Sequence, residues 1–379
     1  MNSVNSSRPV PATLLQAGAA RFWVAVVLTG VGTGIGAALL TLLLQAVQHL
    51  MWPSAGTSLL DAAQHAGASR HVLILIGAGL LTGAGQLVLV RLSSGNGIDI
   101  SAAIWFEAGR LPPLRTIGSA VLSVVIVGMG ASLGREGAPK QAGAVIANAL
   151  SDRGCLSDEQ RQLLVACGAG AGMAAAYGVP LGGALFALEV LRGVLALRLV
   201  LPALFTSLIA TAVSWLALPD APTYLIPDYA SSTSIVVWAL IAGPVAGAVS
   251  VGYVRIIAWA DRNKPKGWKR LVAPTLALGL VGGASIWFPQ ILGNGKDVSQ
   301  LAFTGQTAPW LMLVLLALKP LATVLCLGSG APGGLFTPSL TLGALLGGVL
   351  GSAWTLIWPG EPAGLFAVIG AGAVLAATT

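Results

Sequence analysis

Charged side chains are scarce in this chain. Asp, Glu, Lys and Arg make up 9% of its 379 residues, whereas soluble domains carry about 25%. Hydrophobic residues make up 55%, and the mean hydropathy is +0.84. A soluble fold of this length could not bury so much apolar surface. The composition therefore excludes the soluble classes and predicts a multi-pass protein in contact with lipid, which we place in the inner cell membrane.

Cysteine and histidine are also rare, with three residues of each. The cysteines are widely separated along the chain, so the sequence predicts neither a disulfide framework nor a metal site. We expect no cofactor. The three histidines lie in or beside one loop region and are expected to be solvated: His49, His65 and His71.

The basic residues outnumber the acidic ones, for a net charge of +7 at pH 7. They do not form one soluble face, so nucleic acid is not an expected partner. An excess of Lys and Arg is typical of the cytoplasmic loops of membrane proteins. The densest cluster lies at 255–270, and we place this loop in the cytoplasm, on the same side as an N-terminal segment over 1–21.

Seven apolar runs are each long enough to cross a bilayer at about 20 residues per span. They lie near 22–47, 72–92, 116–133, 199–217, 235–257, 271–291 and 310–327. Five further stretches are shorter or interrupted by Gly and Pro, and we interpret them as half-helices or tilted segments: 137–150, 163–176, 180–197, 336–357 and 364–377. Broken helices are tolerated at membrane depth only where protein or a cavity covers the backbone.

An internal repeat divides the chain. GAGAGMAAA at 168–176 resembles GAGAVLAAT at 370–378, and a glycine break precedes each copy at a similar interval. Matched interruptions in two halves are typical of a transporter site between them, although Gly- and Ala-rich helices can also match by chance. We expect a first membrane repeat over 22–217 and a second over 218–379, the second lacking its last helices.

Glu136 is the only acid between long apolar stretches and lies in the break GREGAP at 134–139. An ionisable group at membrane depth is costly and usually faces a cavity. Gly and Pro at such a break leave backbone N–H groups free to bind an anion. The sequence therefore predicts a titratable acid beside an anion site, with an ion pair between Glu136 and Arg135 as the alternative.

Four glycine-rich segments occur in an order that resembles the chloride-channel (CLC) superfamily of anion channels and anion/proton antiporters. They are GNGID at 95–99, the break at 134–139, PLGGALFALE at 180–189 and GSGAPGGLFTP at 328–338. The resemblance runs from about residue 22 to the last residue. It implies an all-α integral membrane fold, an inverted-repeat bundle of many tilted and broken helices. It also implies a homodimer with one pathway per subunit, and a transporter or channel rather than an enzyme.

The resemblance assigns roles within these segments. Glu136 matches the external gating glutamate, which occupies the anion path when ionised and leaves it when protonated, because two like charges cannot share a desolvated site. Leu335 and Phe336 match the residues whose backbone N–H groups bind the central anion. The other anion-binding candidates lie in the same segments: Asn96, Gly97, Arg135, Gly137 and Gly334.

The chain departs from the family at several positions. Asn96 replaces a serine whose hydroxyl contacts the central anion, and Asp99 replaces a proline, where we expect a helix N-cap. Val190 takes the place of the acid that relays protons in chloride/proton antiporters, and we expect Glu189 to pair with Arg192 or with Arg198. Ala138 and Pro139 replace a proline directly after Gly137, and Lys140 should add positive potential near the pathway.

These departures resemble the fluoride/proton antiporter branch of the family. The sequence-based hypothesis is therefore a transporter that exports fluoride from the cytoplasm in exchange for protons. The alternative is a chloride/proton antiporter or chloride channel of the same fold. An intramembrane enzyme would need a second catalytic group near Glu136. Ser132 is close in sequence, but no His or acid accompanies it. The family also has a tyrosine that contacts the anion, and Tyr177 is not at that position.

Overall fold

The structure is a bundle of α-helices, seen in a computed structural model that describes residues 19–53, 58–92, 99–193, 196–230 and 232–379. Asn96, Gly97 and most of the N-terminal segment lie outside these ranges. The helices within them are α1 (Ala19–Met51), α2 (Leu59–Gln64), α3 (Ala68–Leu92), α4 (Ile100–Phe106), α5 (Pro113–Gly128), α6 (Gly137–Arg153), α7 (Asp158–Tyr177), α8 (Pro180–Leu185), α9 (Leu197–Ser214), α10 (Thr233–Arg262), α11 (Lys269–Ala284), α12 (Lys296–Phe303), α13 (Pro309–Gly328), α14 (Phe336–Trp354) and α15 (Ala363–Thr378). A π-helical turn (Phe186–Leu191) continues α8, and a 3₁₀ turn (Pro289–Ile291) precedes α12.

All seven long apolar runs form helices, namely α1, α3, α5, α9, α10, α11 and α13. Among the described residues, five helices are long and apolar enough to cross a membrane: α1, α3, α10, α13 and α14. The expectation of a full span is wrong for α5 and α11, which have 16 residues each. For α9, with 18 residues, the span stays a prediction. A 16-residue helix is about 24 Å long, against about 30 Å of hydrocarbon.

The two copies of the Gly/Ala repeat pack in the same way. Gly143 of α6 faces Gly168 of α7, and a Cβ atom on Gly143 would lie 2.0 Å from the Gly168 carbonyl oxygen. Gly343 of α14 faces Gly370 of α15, where the corresponding distance is 2.4 Å. Both helix pairs therefore approach to backbone contact, as small residues allow in membrane helices. This equivalence supports our division into two repeats, whose boundaries stay a prediction.

The two glycine breaks meet between these helix pairs. The Gly134 N–H donates to the Gly334 carbonyl at 2.7 Å, and the Gly334 N–H donates back to the Gly134 carbonyl at 2.8 Å. Beside this pair, a Cβ atom on Gly333 would lie 2.5 Å from the Leu133 Cβ. The contact therefore holds the start of α6 next to the start of α14, although the breaks are 200 positions apart in sequence.

Solvation is confirmed for His49 and His65, which are exposed, but the expectation is wrong for His71. The His71 side chain is buried, with Nδ1 2.8 Å from the Ser285 hydroxyl and Nε2 2.9 Å from the Ala63 carbonyl. The imidazole thus links α3 to α2 and to the end of α11. A polar side chain can be buried at low cost when both of its nitrogens have partners.

The contact between α14 and α15 gives a test with a control in the same helix. We expect Gly370→Ala to lower the melting temperature in detergent, because its Cβ would lie 2.5 Å from the Gly343 carbonyl oxygen and overpacking costs about 1–3 kcal/mol. Gly372→Ala, with nothing within 4 Å of its Cβ, should be neutral or slightly stabilising, since Ala is the better helix former. Equal melting temperatures for the two variants would refute this packing.

Candidate anion-binding site

Glu136 lies at the start of α6 and is almost fully buried, with 3% of its surface exposed. Its Oε1 accepts the Phe336 N–H at 2.6 Å and the Thr337 N–H at 3.4 Å. These are the first two amides of α14, which have no acceptor within the helix. The carboxylate therefore sits on the positive end of the α14 dipole, where a negative charge is stabilised.

Two hydroxyls complete the surroundings of the carboxylate. Oε2 lies 3.1 Å from the Thr337 hydroxyl and 3.1 Å from the Tyr177 hydroxyl, and these hydroxyls are 2.6 Å apart. We call these three oxygens, Glu136 Oε2 and the Tyr177 and Thr337 hydroxyls, the hydroxyl triangle. When Glu136 is ionised, only two protons are available for its three contacts. A proton on Oε2 supplies the third, so all three hydrogen bonds can form at once. The site can therefore hold Glu136 in either charge state.

Glycine makes room for the carboxylate. A Cβ atom would lie 2.1 Å from Oε1 if placed on Gly134 and 2.2 Å if placed on Gly334. Both positions must therefore lack a side chain while Glu136 occupies this place. On Gly137, the first residue of α6, a Cβ atom would lie 3.3 Å from the Gly334 nitrogen. In this conformation the Gly334 amide donates to Gly134 and not to the site.

Arg135 points away from the neighbouring acid. Its Nη2 donates to the Ala176 carbonyl at 3.4 Å, and its guanidinium carbon lies 5.5 Å from the centre of the Tyr177 ring. The Nε atom is buried and has no hydrogen-bond partner. Arg135 and Glu136 form no ion pair, so the alternative interpretation of these two residues fails. The guanidinium instead supplies positive charge beside the site.

The remaining predicted residues surround this centre or lie apart from it. Leu335 is the N-cap of α14, and the Phe336 ring lies 6.0 Å from that of Tyr177. The N-cap expected at Asp99 is confirmed, since its carboxylate accepts the Ser101 N–H at 2.8 Å. Asn96 and Gly97 belong to the undescribed segment before it. For these residues and the other anion-binding candidates, the role in binding stays a prediction.

Lys140 lies one helical turn beyond Glu136, with its Nζ 5.7 Å from the centre of the Phe186 ring, and it interacts electrostatically with Glu136. Its contribution to the electrostatic potential near the pathway stays a prediction. Pro139, which stands one position later than the proline of the family, costs α6 no hydrogen bond. α6 still begins at Gly137, and Pro139 falls in the first turn, where an amide N–H has no partner within the helix.

The expectation that Glu189 pairs with Arg192 is wrong. Glu189 is exposed and makes no ion pair within the described residues, and Arg192 donates instead to the Gln162 side chain at 3.1 Å. The side chain of Arg198 lies outside the described part. Val190 occupies the π-helical turn after α8 and is partly buried, so this position carries no titratable group.

Sequence reasoning missed Tyr177 and Thr337 as contacts of the carboxylate. Tyr177 was set aside because it does not align with the family's anion-binding tyrosine. It reaches the site from another helix end, the last residue of α7. Thr337 had a usable signal, since it directly follows the predicted Leu335–Phe336 pair within GGLFTP. A hydroxyl in the first turn of a helix lies beside the same amides that bind an anion.

The fold and the site define a membrane protein of broken helices around one buried carboxylate. The chain belongs to the voltage gated chloride channel family, whose sequence model matches residues 78–379. This membership confirms the predicted superfamily. Channels and transporters make up that family, which agrees with the expectation of a non-enzyme.

Several curated relatives are about one third identical. The putative chloride channel protein ClcB-like of Ralstonia nicotianae is 33% identical over 88% of this chain and 81% of its own length. The voltage-gated ClC-type chloride channel ClcB of Citrobacter koseri is 34% identical over 68% and 63%. The H(+)/Cl(−) exchange transporter ClcA of Cronobacter sakazakii is 33% identical over 66% and 56%. The matches thus span less than two thirds of the latter two relatives.

Solved structures share the architecture. A slow cyanobacterial Cl−/H+ antiporter superposes with a TM-score of 0.79 at 22% identity, covering 96% of this chain and 86% of its own. A CLC-type fluoride/proton antiporter superposes with a TM-score of 0.75 at 23% identity, covering 95% and 87%. At these identities the likeness concerns the fold alone. The predicted all-α CLC-type bundle is confirmed.

Tyr177→Phe tests the hydroxyl triangle. The variant removes one donor from the carboxylate, so we expect Glu136 to release the α14 amides more readily. Because an anion can reach those amides only after the release, chloride efflux from proteoliposomes at pH 7 should rise about threefold to tenfold, a factor that corresponds to the loss of part of a charge-assisted hydrogen bond.

The matched control is Tyr229→Phe, whose hydroxyl donates to the Phe303 carbonyl at 2.6 Å and does not contact Glu136. This variant should leave efflux unchanged. Unaltered efflux in Tyr177→Phe, or an equal change in both variants, would speak against a role for the triangle.

Proposed function

We propose that this protein carries chloride across the membrane in exchange for protons, with Glu136 as the group on which both ions act. The observation that supports this most strongly is the set of contacts of the Glu136 carboxylate: two backbone N–H groups and two hydroxyls. Those donors suit a halide as well as a carboxylate. Curated relatives named as chloride channels and H(+)/Cl(−) exchange transporters favour chloride as the anion.

The exchange follows from competition for these donors. An ionised Glu136 holds the Phe336 and Thr337 amides, and a halide cannot join it because two like charges repel strongly in a desolvated site. A proton on the carboxyl group removes that charge and weakens its hold on the amides. The side chain can then leave, and an anion takes its place. Each return of the carboxylate expels an anion and requires that the proton has been released.

The site also discriminates against cations. The described contacts of the carboxylate are all donors, and α14 directs the positive end of its dipole at them. Arg135 and Lys140 add positive charge on either side of Glu136 along the chain. A cation that entered would face the two backbone N–H groups, with only the Glu136 carboxylate and the two hydroxyl oxygens as acceptors among the described contacts. The arrangement is therefore an anion site. The Glu136 carboxylate occupies this site whenever no halide is bound there.

Fluoride export is the second candidate, and two sequence features favour it. Asn96 offers an amide with two N–H donors where the family has a serine, and a small, strongly hydrated anion needs more donors to replace its water. Val190 removes the acid that relays protons in chloride/proton antiporters. Fluoride enters cells as its neutral acid and is trapped as the anion, so a proton-driven exporter would reverse that trapping.

Two further parts of the proposal come from the family resemblance. We infer that the protein forms a homodimer in the inner membrane, with an independent pathway in each subunit. The basic loop at 255–270 is then cytoplasmic.

The anion is tested by efflux from proteoliposomes loaded with equal concentrations of chloride and fluoride, followed with ion-selective electrodes. We expect chloride to leave faster and to be accompanied by proton movement in the opposite direction. Faster fluoride release would replace chloride with fluoride in this proposal. Movement of neither anion would overturn the transport proposal as a whole.

Glu136→Gln tests the shared role of the carboxyl group. Glutamine has nearly the same shape but cannot ionise, so it cannot carry a proton or compete as an anion. We expect chloride flux to persist while chloride-driven proton movement falls to the level of empty liposomes. Glu159→Gln, at an exposed acid of α7, is the control and should retain both. Intact proton movement in Glu136→Gln would rule out the assigned role.

A further inference from the structure

Two cavities adjoin at Arg135, the residue before Glu136, and play no part in the exchange as described above. One, of about 230 Å³, lies between the last turns of α1 and the connection at 289–298. The other, of about 220 Å³, lies between the end of α7 and the connection that follows α9. Three residues line both cavities: Gln45, Arg135 and Lys296. Each cavity is large enough for a hydrated ion, since one water occupies about 30 Å³ in the liquid.

The three residues that line both cavities form a shared wall. Two of them, Arg135 and Lys296, are cations that lack strong partners. The Arg135 Nε atom is buried without a hydrogen bond. Lys296 makes no side-chain hydrogen bond or ion pair with any described residue. Asp297 is nearby and accepts the Leu60 N–H at 3.0 Å through one carboxylate oxygen, but its single negative charge does not balance both cations. Like charges in one wall are unfavourable, and an anion placed between them would relieve that repulsion.

The electrostatics of Lys296, the first residue of α12, agree with this. Burial lowers the pKa of the Lys296 ammonium, and the positive charge of Arg135 lowers it further, whereas Asp297 raises it. A bound anion would act in the same direction as Asp297 and favour the charged ammonium.

The backbone just before Lys296 is fixed by a buried lysine, Lys319. The Lys319 ammonium of α13 donates to the carbonyls of Ile291, Leu292 and Gly293 at 2.8, 3.1 and 2.7 Å. All three of its donors are therefore used to hold the connection just before Lys296. Thr341 of α14 adds a hydrogen bond to the Gly295 carbonyl at 3.2 Å. The backbone that carries Lys296 is thus held in place before any ligand arrives, so binding does not have to order this connection.

Tyr177 lies between the second cavity and the Glu136 carboxylate. It lines the second cavity, and its hydroxyl contacts the Glu136 carboxylate at 3.1 Å. An anion in that cavity would therefore be separated from the α14 amides by little more than the Tyr177 and Glu136 side chains. Both cavities are lined by Lys296, which follows the end of α11 that is remote from the basic connection between α10 and α11.

We propose that Arg135 and Lys296 form a capture site for a small inorganic anion, which is held there while the Glu136 carboxylate occupies the α14 amides. This rests on the proposed function and adds to it a place of entry and a residue, Lys296, that sets the local anion concentration. Positive charge at a cleft raises the arrival rate of an anion by about 10-fold or more. The effect is confined to chloride concentrations that leave the capture site unsaturated.

The test removes the positive charge at position 296 by mutation to Cys and then restores a positive charge there by chemical modification. The parent is Cys155→Ser, because Cys155 is exposed whereas Cys167 and Cys326 are buried. In this parent we expect Lys296→Cys to reduce chloride efflux about threefold to tenfold at low chloride and to have little effect at saturating chloride. Modification in detergent with a cationic alkyl thiosulfonate should restore the flux, and an anionic thiosulfonate should not. Lys266→Cys, in the basic loop, should show neither the loss nor the restoration.

The outcomes separate this inference from the proposed function. Efflux of Lys296→Cys equal to its parent, or restoration by both reagents, would overturn the capture site while the transport proposal stands. If the parent itself moves no anion, calorimetric titration of the detergent-solubilised proteins with chloride still decides. Weaker binding in Lys296→Cys than in Lys266→Cys supports the capture site, and equal binding excludes it.

Discussion

The fold depends on the hydrogen bonding of one buried carboxylate. A charge such as that of Glu136 costs several kcal/mol to remove from water unless donors replace its hydration. Here they come from the first turn of α14, 200 residues further along the chain, and from a tyrosine at the end of α7. Three separate helix ends must therefore meet at one point. The helices that bring them there are interrupted because a continuous helix would leave no amide free.

The glycine content follows from the same requirement. The helix ends converge only if α6 packs closely on α7 and α14 on α15, and both contacts place a glycine against a backbone carbonyl, at Gly143 and Gly343. Gly134 and Gly334 leave the space that the carboxylate fills. Glycine, which soluble proteins use mainly in turns, is thus needed here in the interfaces between helices. Lipid provides no hydrophobic force to drive the association of those helices.

Much of this was predictable from the sequence, because hydropathy and glycine breaks act locally. The seven long apolar runs are helices, and the family resemblance identified Glu136 and Phe336, which are in direct contact. Contacts between distant helix ends could not be read from spacing. Tyr177 contacts Glu136 from the end of α7, and Lys296 lines the neighbouring cavities from the start of α12. Only the packing of those elements brings these two residues near α14. Helix length was also poorly predicted, since an apolar run continues into a buried non-helical break, as after Gly128.

The central claim is that carboxylate and halide exclude each other at the amides of α14. Bromide, located by its anomalous scattering in crystals of the Glu136→Gln variant and of the unsubstituted protein at alkaline pH, tests this most directly. The account predicts bromide within hydrogen-bond distance of the Phe336 nitrogen in the variant, and the carboxylate alone at that place in the unsubstituted protein. Bromide at the Phe336 amide beside an ionised, unmoved Glu136, or no bromide there in the variant, would contradict it.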